Sequence, residues 1–303
     1  MDDATGAAAK AGVEVGGSPG MRRNGLELAV VVVTLVLWIP GLRVLAGVYG
    51  EVEWASHGFL VPIVALWAAT AHRAALADRP ARPLRGGVAL LGALVLAYLA
   101  ALLFGNPSVI GLVGVATVVG LVAALRGLAW VRTLAFPLAY LLFMVPLPTA
   151  WITPVIVRLQ LLVSSVAVAL LRAFDVAIHR DGNVLTLPGD VTLFVAEACS
   201  GITSLVTLLP IGVFIAYFTE SVPWRRVALV AAVVPIALLG NLIRVVLTVA
   251  LAMRVDVAFA TTGPVHEWAG VATYVLGCLC LLAVGAGLRR LGGGARSDAG
   301  VPA

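Results

Sequence analysis

The sequence is poor in charged residues. Asp, Glu, Lys and Arg make up 12% of the 303 residues, against about 25% in ordinary soluble domains. Hydrophobic residues make up 61%, and the mean hydropathy is +1.08. This composition excludes a water-soluble globule, because the chain has too little polar surface to cover one. The formal net charge of +5 therefore reports membrane topology and does not indicate a nucleic-acid partner.

Cysteine and histidine are also scarce. Of the three cysteines, Cys278 and Cys280 lie two residues apart in one apolar run. On a helix they face different sides, which suits neither a metal pair nor a disulfide. The four histidines are scattered along the chain: His57, His72, His179 and His266. We therefore expect no metal site and no cofactor.

The two ends of the chain lack long apolar runs. Residues 1–25 are rich in Gly and Ala and have no apolar core, so they are not typical of a cleaved signal peptide. The sequence predicts a disordered cytoplasmic tail over 1–25, a transmembrane domain over 26–290, and a second disordered cytoplasmic tail over 291–303.

Between the tails the chain contains eight apolar runs. A helix that crosses a bilayer needs about 20 predominantly apolar residues. The runs cover residues 26–48, 59–76, 88–104, 109–125, 133–145, 202–218, 227–251 and 268–288. They predict an all-α integral membrane protein with about eight transmembrane helices.

A ninth candidate, residues 154–174, has a different pattern. Arg158, Ser165 and Arg172 recur every seven residues and so share one helical face. This stripe predicts a helix that lies in the outer membrane interface or packs against a polar cavity. The alternative is a ninth span whose arginines extend along the helix to the headgroups.

The placement of arginines favours eight spans. If residues 154–174 do not cross, most arginines fall on one side, including Arg225 with Arg226 and Arg289 with Arg290. A ninth crossing would move these pairs to the opposite side. The positive-inside rule therefore predicts a multi-pass plasma or inner membrane protein with both termini in the cytoplasm.

Residues 184–195 have the pattern of a β-hairpin. Two short segments, 184–187 and 191–195, flank a Pro-Gly-Asp turn at 188–190, and an Asp-Gly pair at 181–182 supplies an earlier turn signal. Open sheet edges cannot lie in lipid. The hairpin is therefore predicted to lie on the outer membrane surface.

Cys199 precedes the sixth apolar run, at the predicted outer end of that helix. A helix N-terminus concentrates free N–H groups and partial positive charge, which favour the thiolate form of a cysteine. Ser200 and Gly201 permit a tight entry into the helix and close approach to the backbone. The pattern indicates a nucleophile; the alternative is a buried cysteine that packs as a small hydrophobic residue.

The seventh run contains Asn241 and Arg244, three residues apart on one helical face. An arginine inside a membrane helix is costly and indicates function. Arg244 follows Arg226 by about 27 Å of helix, which places it near the outer interface, at the depth predicted for Cys199. The alternative is an arginine that extends to the outer headgroups or pairs with Glu197 for structure alone.

His266 follows a Gly-Pro-Val segment and opens the last span at the outer face. A histidine there can serve as general acid or base for a thiol, although a histidine at a helix entrance can also be structural. Cys199, Arg244 and His266 are predicted at the same depth on the same side. This convergence favours a shared catalytic site.

Several stretches together resemble the exosortase and archaeosortase family, whose members are multi-spanning cysteine enzymes that process proteins with a C-terminal sorting signal. The most distinctive stretch is 195–202, followed by Asn241-x-x-Arg244 and then His266. Weaker stretches lie at 56–62, 145–148, 181–184, 235–245 and 266–270. The resemblance extends from about residue 56 to residue 288.

The resemblance implies that Cys199 is the nucleophile and that Arg244 and His266 complete the catalytic set. Four further residues are candidates for supporting the site or binding substrate: Glu197, Ser200, Asn241 and His57. Many members of the family have arginine where this chain has Thr203, which leaves the substrate signal open.

The resemblance further implies that membrane-anchored proteins are the substrates, and that they are cleaved at the outer face through a thioester. Their signal would combine a short motif, one membrane helix and a basic cytoplasmic end. The expected partners are these proteins and the lipid bilayer. Two other classes of protein stay open: a transporter, because Arg244 and Asn241 would also suit a substrate path, and a non-catalytic export or assembly factor.

Overall fold

The computed structural model describes residues 19–188, 191–194, 201–261 and 264–291, with the backbone alone for 19–24, 191, 194 and 264–267. Within these ranges the chain forms twelve α-helices, two 3-10 helices and three strands. The helices are α1 Pro19–Glu51, a 3-10 helix Glu53–Phe59, α2 Val61–Ala71, α3 Arg73–Ala77, α4 Gly87–Phe104, α5 Pro107–Arg126, α6 Leu128–Thr133, α7 Ala135–Tyr140, a 3-10 helix Leu141–Met144, α8 Thr149–Ala173, α9 Ile202–Thr219, α10 Pro223–Arg254, α11 Val257–Thr261 and α12 Pro264–Leu291. The strands are β1 His179–Asp181, β2 Val184–Leu187 and β3 Val191–Phe194.

The chain divides into two compact units, residues 1–39 and 40–303. The described part of the first unit is the N-terminal part of α1. This helix begins at Pro19, so residues 19–25 are helical although the sequence predicts a tail there. The hydroxyl of Thr34 donates to the Val30 carbonyl oxygen at 2.8 Å, which satisfies this polar group within the helix.

Eight helices of the described chain are long and apolar enough to cross a membrane, which confirms a multi-pass, all-α membrane fold. They are Gly25–Glu51, Glu53–Ala71, Gly87–Phe104, Pro107–Arg126, Thr149–Ala173, Ile202–Thr219, Pro223–Arg254 and Trp268–Leu291. The number agrees with the sequence prediction. The set differs at one place, because it includes α8 and leaves out the run predicted at 133–145.

The run at 133–145 forms a short apolar segment, Ala135–Met144. It has ten residues, about half of what a straight span needs. Pro146 and Pro148 follow directly, and proline lacks the N–H that would continue a helix. The segment therefore ends early as a 3-10 turn.

Helix α8 has the length of a span and a two-sided burial pattern. One face is buried at Ile156, Val163 and Val168 among others, while Arg158, Ser165 and Arg172 are all exposed. The shared polar face that the spacing predicts is therefore confirmed.

Near the N-terminus of α8, Ile156 shares a buried cluster with Trp54 and Ile202, and near its C-terminus, Val168 shares one with Leu193 and Val249. Both halves of α8 therefore pack at the sheet end of the bundle, in agreement with the interfacial helix that the sequence predicts.

The three strands form one antiparallel sheet in the order β1-β2-β3. The predicted hairpin is confirmed, with Leu185 opposite Leu193 and Thr186 opposite Thr192. Both leucines are buried in a cluster shared with the C-terminal half of α8 and the C-terminal part of α10. Strand β1 was not predicted, because its three residues are all polar and carry no apolar alternation.

Helices α9, α10 and α12 pack together, and we call them the α9–α10–α12 unit. They contain the candidate residues Asn241, Arg244 and His266. Leu208, Val233 and Leu281, one from each helix, pack in a shared core. Helix α9 ends at Thr219 and α10 begins at Pro223, so the short connection makes them antiparallel neighbours. The N-terminus of α9 therefore lies beside the C-terminal half of α10.

Candidate active site

Arg244 lies inside the bundle. Its side chain is 7% exposed, and its guanidinium packs against Gly270 of α12. A Cβ built on Gly270 would be 3.6 Å from Nη2 and 3.7 Å from Cζ of Arg244. The guanidinium therefore lies close to the backbone of α12 at Gly270.

Asn241 lies one turn earlier on α10 and is fully buried. Its amide faces Gly201, the residue that precedes α9, and a Cβ built on Gly201 would be 3.3 Å from Asn241 Nδ2. Gly201 has φ +83°, a left-handed conformation that favours glycine. The entry into α9 thus depends on a glycine that Asn241 contacts.

His57 joins two segments that the sequence places far apart. Its Nδ1 is 3.1 Å from the Trp54 carbonyl oxygen and its Nε2 is 3.0 Å from that of Phe143. A neutral imidazole can donate to only one of these oxygens, and the imidazolium can donate to both. The nearby Tyr49 hydroxyl donates to the Met144 carbonyl oxygen. His57 therefore ties the first 3-10 helix to the second, and its contacts are those of a positioning residue.

Tyr274 belongs to the polar surroundings of Arg244 and was not predicted. Its hydroxyl lies near the side chains of Ser204 and Thr207, and within electrostatic range of Arg244 and Glu53. A signal was available, because Tyr274 follows Gly270 by four residues and so shares its helical face. A single tyrosine in an apolar run is nevertheless common in membrane helices.

Thr203 occupies the first turn of α9 and is 3% exposed. Its hydroxyl has no hydrogen-bond partner among the described residues, and its carbonyl oxygen accepts from the Thr207 hydroxyl at 2.6 Å. The position that is often basic in the family is therefore buried in this chain.

Several predicted site residues lie outside the described parts of the chain. Glu197, Cys199 and Ser200 are among them. His266 lies in α12, but its side chain is not described. Their roles stay predictions. Cys278 and Cys280 are free cysteines, half-buried in α12.

The end of the bundle opposite the sheet carries its own polar cluster. The carboxylate of Glu220, which is 2% exposed, pairs with Arg289, and the Glu220 carbonyl oxygen accepts from Arg226 Nε at 2.7 Å. The Tyr217 hydroxyl lies 3.4 Å from His72 Nε2. Burial lowers the pKa of His72.

The described residues contain no group of three or more His, Cys, Asp or Glu side chains that could hold a metal ion. Around Arg244 the described residues supply a buried cation, amides, hydroxyls and glycine backbone. Such groups can bind a developing negative charge.

Most of the chain matches the model of one protein family. The family model described as transmembrane exosortase matches residues 51–283, which is most of the chain and includes every candidate site residue. No curated protein and no solved structure matches the chain.

Proposed function

Because the chain belongs to the transmembrane exosortase family, a family of membrane-embedded sorting transpeptidases, we propose that it cleaves the C-terminal sorting signal of membrane-anchored proteins with Cys199 as nucleophile. Arg244 and His266 are the other two catalytic residues. The reaction takes place at the extracytoplasmic face and proceeds through a thioester on Cys199.

The contacts of Arg244 and Asn241 carry this proposal. Asn241 packs against Gly201, and Cys199 precedes Gly201 by two residues, or at most about 7 Å of chain. Arg244 packs against Gly270, which lies one helical turn after His266. One face of α10 therefore contacts Gly201 and Gly270, which lie two and four residues along the chain from the other two catalytic candidates. This proximity supports a single site.

In the proposed mechanism the Cys199 thiol gives its proton to His266, and the sulfur attacks a backbone carbonyl carbon of the substrate. The oxygen of that carbonyl becomes an oxyanion, which the Arg244 guanidinium stabilises, with Asn241 orienting the arginine. His266 returns the proton to the leaving amine as the C–N bond breaks. An incoming amine or water then resolves the thioester, so transfer to an amine gives a transpeptidase and transfer to water a protease.

The supporting residues have smaller roles in this scheme. Glu197 and Ser200 flank the nucleophile and are candidates for orienting it or the substrate. His57 acts at a distance, by holding the 3-10 helix Glu53–Phe59 to the Phe143 carbonyl oxygen. The partial positive charge at the N-terminus of α12 favours a neutral His266 at rest, as a base requires.

The orientation of the chain in the membrane is proposed from the placement of its arginines. The segment between α2 and α4 has four arginines, Arg126 ends α5 and Arg132 follows it shortly afterwards. The start of α10 and the end of α12 carry one arginine pair each. The positive-inside rule places them in the cytoplasm. The sheet and the N-terminus of α9 then lie outside, with both chain termini in the cytoplasm.

The decisive experiment is Cys199→Ala, with Cys278→Ala and Cys280→Ala as matched controls. A tagged membrane-anchored protein with a motif, a helix and a basic end, encoded beside this chain, serves as the reporter. We expect its processing to stop with Cys199→Ala and to continue with both controls at equal expression. Processing that survives Cys199→Ala would overturn the nucleophile and favour a transporter or a non-catalytic export factor.

Topology has a separate test. A membrane-impermeant maleimide added to intact cells should label Cys199 and neither Cys278 nor Cys280. Variants that keep one cysteine at a time assign the label. Labelling of Cys199 only after permeabilisation would contradict the outer-face site without bearing on the chemistry.

A further inference from the structure

An apolar groove opens on the side of the bundle, between α4, α5 and α7. We call it the lateral groove; its volume is about 650 Å³. Along α5 it extends from Leu112 to Ala123, about 16 Å of helix. One leaflet of a hydrocarbon core of about 30 Å has nearly the same depth. The groove therefore matches the length of lipid acyl chains within a single leaflet.

Its lining is aliphatic except at one end. Arg132 is the charged residue among those that line it. Leu84 and Ala123 line the same end, where the Leu84 N–H donates to the Ala123 carbonyl oxygen at 3.1 Å. The charged mouth is thus built from the end of α5, the loop that precedes α4, and the end of α6.

Further arginines surround this mouth. The Arg82 N–H donates to the Arg126 carbonyl oxygen at 3.2 Å, and the Arg126 guanidinium lies 5.5 Å from the centre of the Trp130 ring. Between residues 73 and 135 the acidic side chains are limited to Asp78, whereas the arginines are Arg73, Arg79, Arg82, Arg85, Arg126 and Arg132. The mouth therefore has a strong excess of positive charge.

From this combination we propose that the lateral groove binds an anionic phospholipid. The acyl chains occupy the aliphatic part, and the phosphate lies at the mouth, where Arg132 binds it and Arg82 and Arg126 add to the positive field. Basic pockets between transmembrane helices on the cytoplasmic side recognise anionic headgroups in this way. The arginine-rich loops lie at the depth of such headgroups.

Charge excludes the other obvious occupant, a substrate's membrane helix. Such a helix would carry a basic cytoplasmic end, which the arginines at the mouth would repel. A helix is also about 10 Å across, and a volume of about 650 Å³ spread over about 16 Å of length would accommodate only about half of its cross-section. A soluble phosphate ester, in turn, would leave the aliphatic part empty.

The test uses the full-length protein in detergent, titrated with phosphatidylglycerol or phosphatidylcholine of identical acyl chains and followed by native mass spectrometry. We expect phosphatidylglycerol to bind more tightly. Arg132→Gln should weaken it about fivefold, the effect of one basic residue near a membrane surface, while Arg290→Gln, an exposed arginine outside the groove, should change nothing. Ala139→Phe, which fills the groove, should reduce binding of both lipids relative to Ala93→Phe on a lipid-facing surface.

Three results would overturn the proposal. The first is equal binding of the two lipids that Arg132→Gln does not change. The second is an equal loss with Arg290→Gln, which would show that only diffuse charge matters. The third is displacement of the lipid by a membrane peptide with a basic end, which would make the groove a helix site. Thermal melting of each variant separates weak binding from misfolding.

Discussion

At the arginine-rich end of the α9–α10–α12 unit, Arg289 pairs with Glu220 and Arg226 donates to the Glu220 carbonyl oxygen. At the sheet end of the same unit, Arg244 is buried and packs against Gly270. The first cluster joins the start of α10 to the ends of α9 and α12. The second places a guanidinium beside a glycine, between segments that carry the proposed nucleophile and base.

The arginines at the two ends differ in the groups that they contact. A carboxylate and a carbonyl oxygen accept from arginines at the first end, so these arginines hold helices together. At the other end the Arg244 guanidinium packs against Gly270, and Asn241, one turn earlier on α10, packs against Gly201. If the chain acts as proposed, the first end mainly stabilises the fold and the second mainly serves the reaction.

The largest expected difference between the two ends comes from replacing one arginine at each. Arg244→Lys should lower processing about 10²- to 10³-fold, as loss of an oxyanion donor does, because an ammonium lacks the planar donor geometry. Arg289→Lys should leave processing within about twofold. A reporter assay in membranes with matched expression measures both.

Thermal melting in detergent supplies the control for this pair. Arg244→Lys should melt close to the parent protein. If the melting temperature of Arg244→Lys falls so far that unfolding accounts for the lost processing, Arg244 is structural and the distinction between the two ends fails.

The second prediction concerns stability at the arginine-rich end. Glu220→Gln should lower the free energy of unfolding by about 2 kcal/mol, since a charge-assisted hydrogen bond to Arg289 is weakened. Processing per folded molecule should not change. Glu51→Gln, an exposed residue, is the matched control, and denaturant titration in detergent measures both. Lost activity in folded Glu220→Gln would contradict the structural assignment.

The third prediction compares the two glycines at the sheet end. Gly201 has φ +83°, so Gly201→Ala should cost about 1–2 kcal/mol in backbone strain and press on Asn241. Gly270→Ala places a Cβ at ordinary contact distance from Arg244 and should melt like the parent protein. Equal melting temperatures for the two variants would show that the entry into α9 is not constrained in this way.

The smallest effect is expected at His72. Burial lowers its pKa, so the folded state disfavours the protonated form. The stability from a neutral His72 is complete above about pH 6.5, its usual pKa, and declines as the pH falls below that value. His72→Gln should therefore reduce the difference in melting temperature between pH 7.5 and pH 5.5. An unchanged difference would exclude a contribution from this residue.

The length of the apolar runs was sufficient to predict the class of fold. Seven of the predicted runs correspond to helices of span length, because around 20 apolar residues have few other stable arrangements in lipid. The run at 133–145 could not be judged by hydropathy alone, since its helix is shortened by prolines around it. Strand β1 could not be predicted, because it pairs through its backbone and its residues have no apolar alternation.

For the site, counting helical turns from Arg226 predicted that Arg244 lies near the outer interface, at the depth of Cys199. In the structure Asn241, one turn before Arg244, contacts Gly201 at the N-terminus of α9. The contact of Arg244 with Gly270 and the neighbourhood of Tyr274 could not be predicted, because they depend on how α12 is rotated against α10. One sequence does not specify that rotation. Cys199 and the His266 side chain stay predictions.

The length of helix α10 also limits where a substrate could be cleaved. Its 32 residues correspond to about 48 Å, well beyond a hydrocarbon core of about 30 Å. About 15 Å of this helix continues past Arg244 to Arg254, beside the sheet. If the chain acts as proposed, a substrate anchored in the same bilayer must present its scissile bond close to the end of its own membrane helix. We expect a longer spacer at that point to reduce cleavage even when the recognition motif is intact.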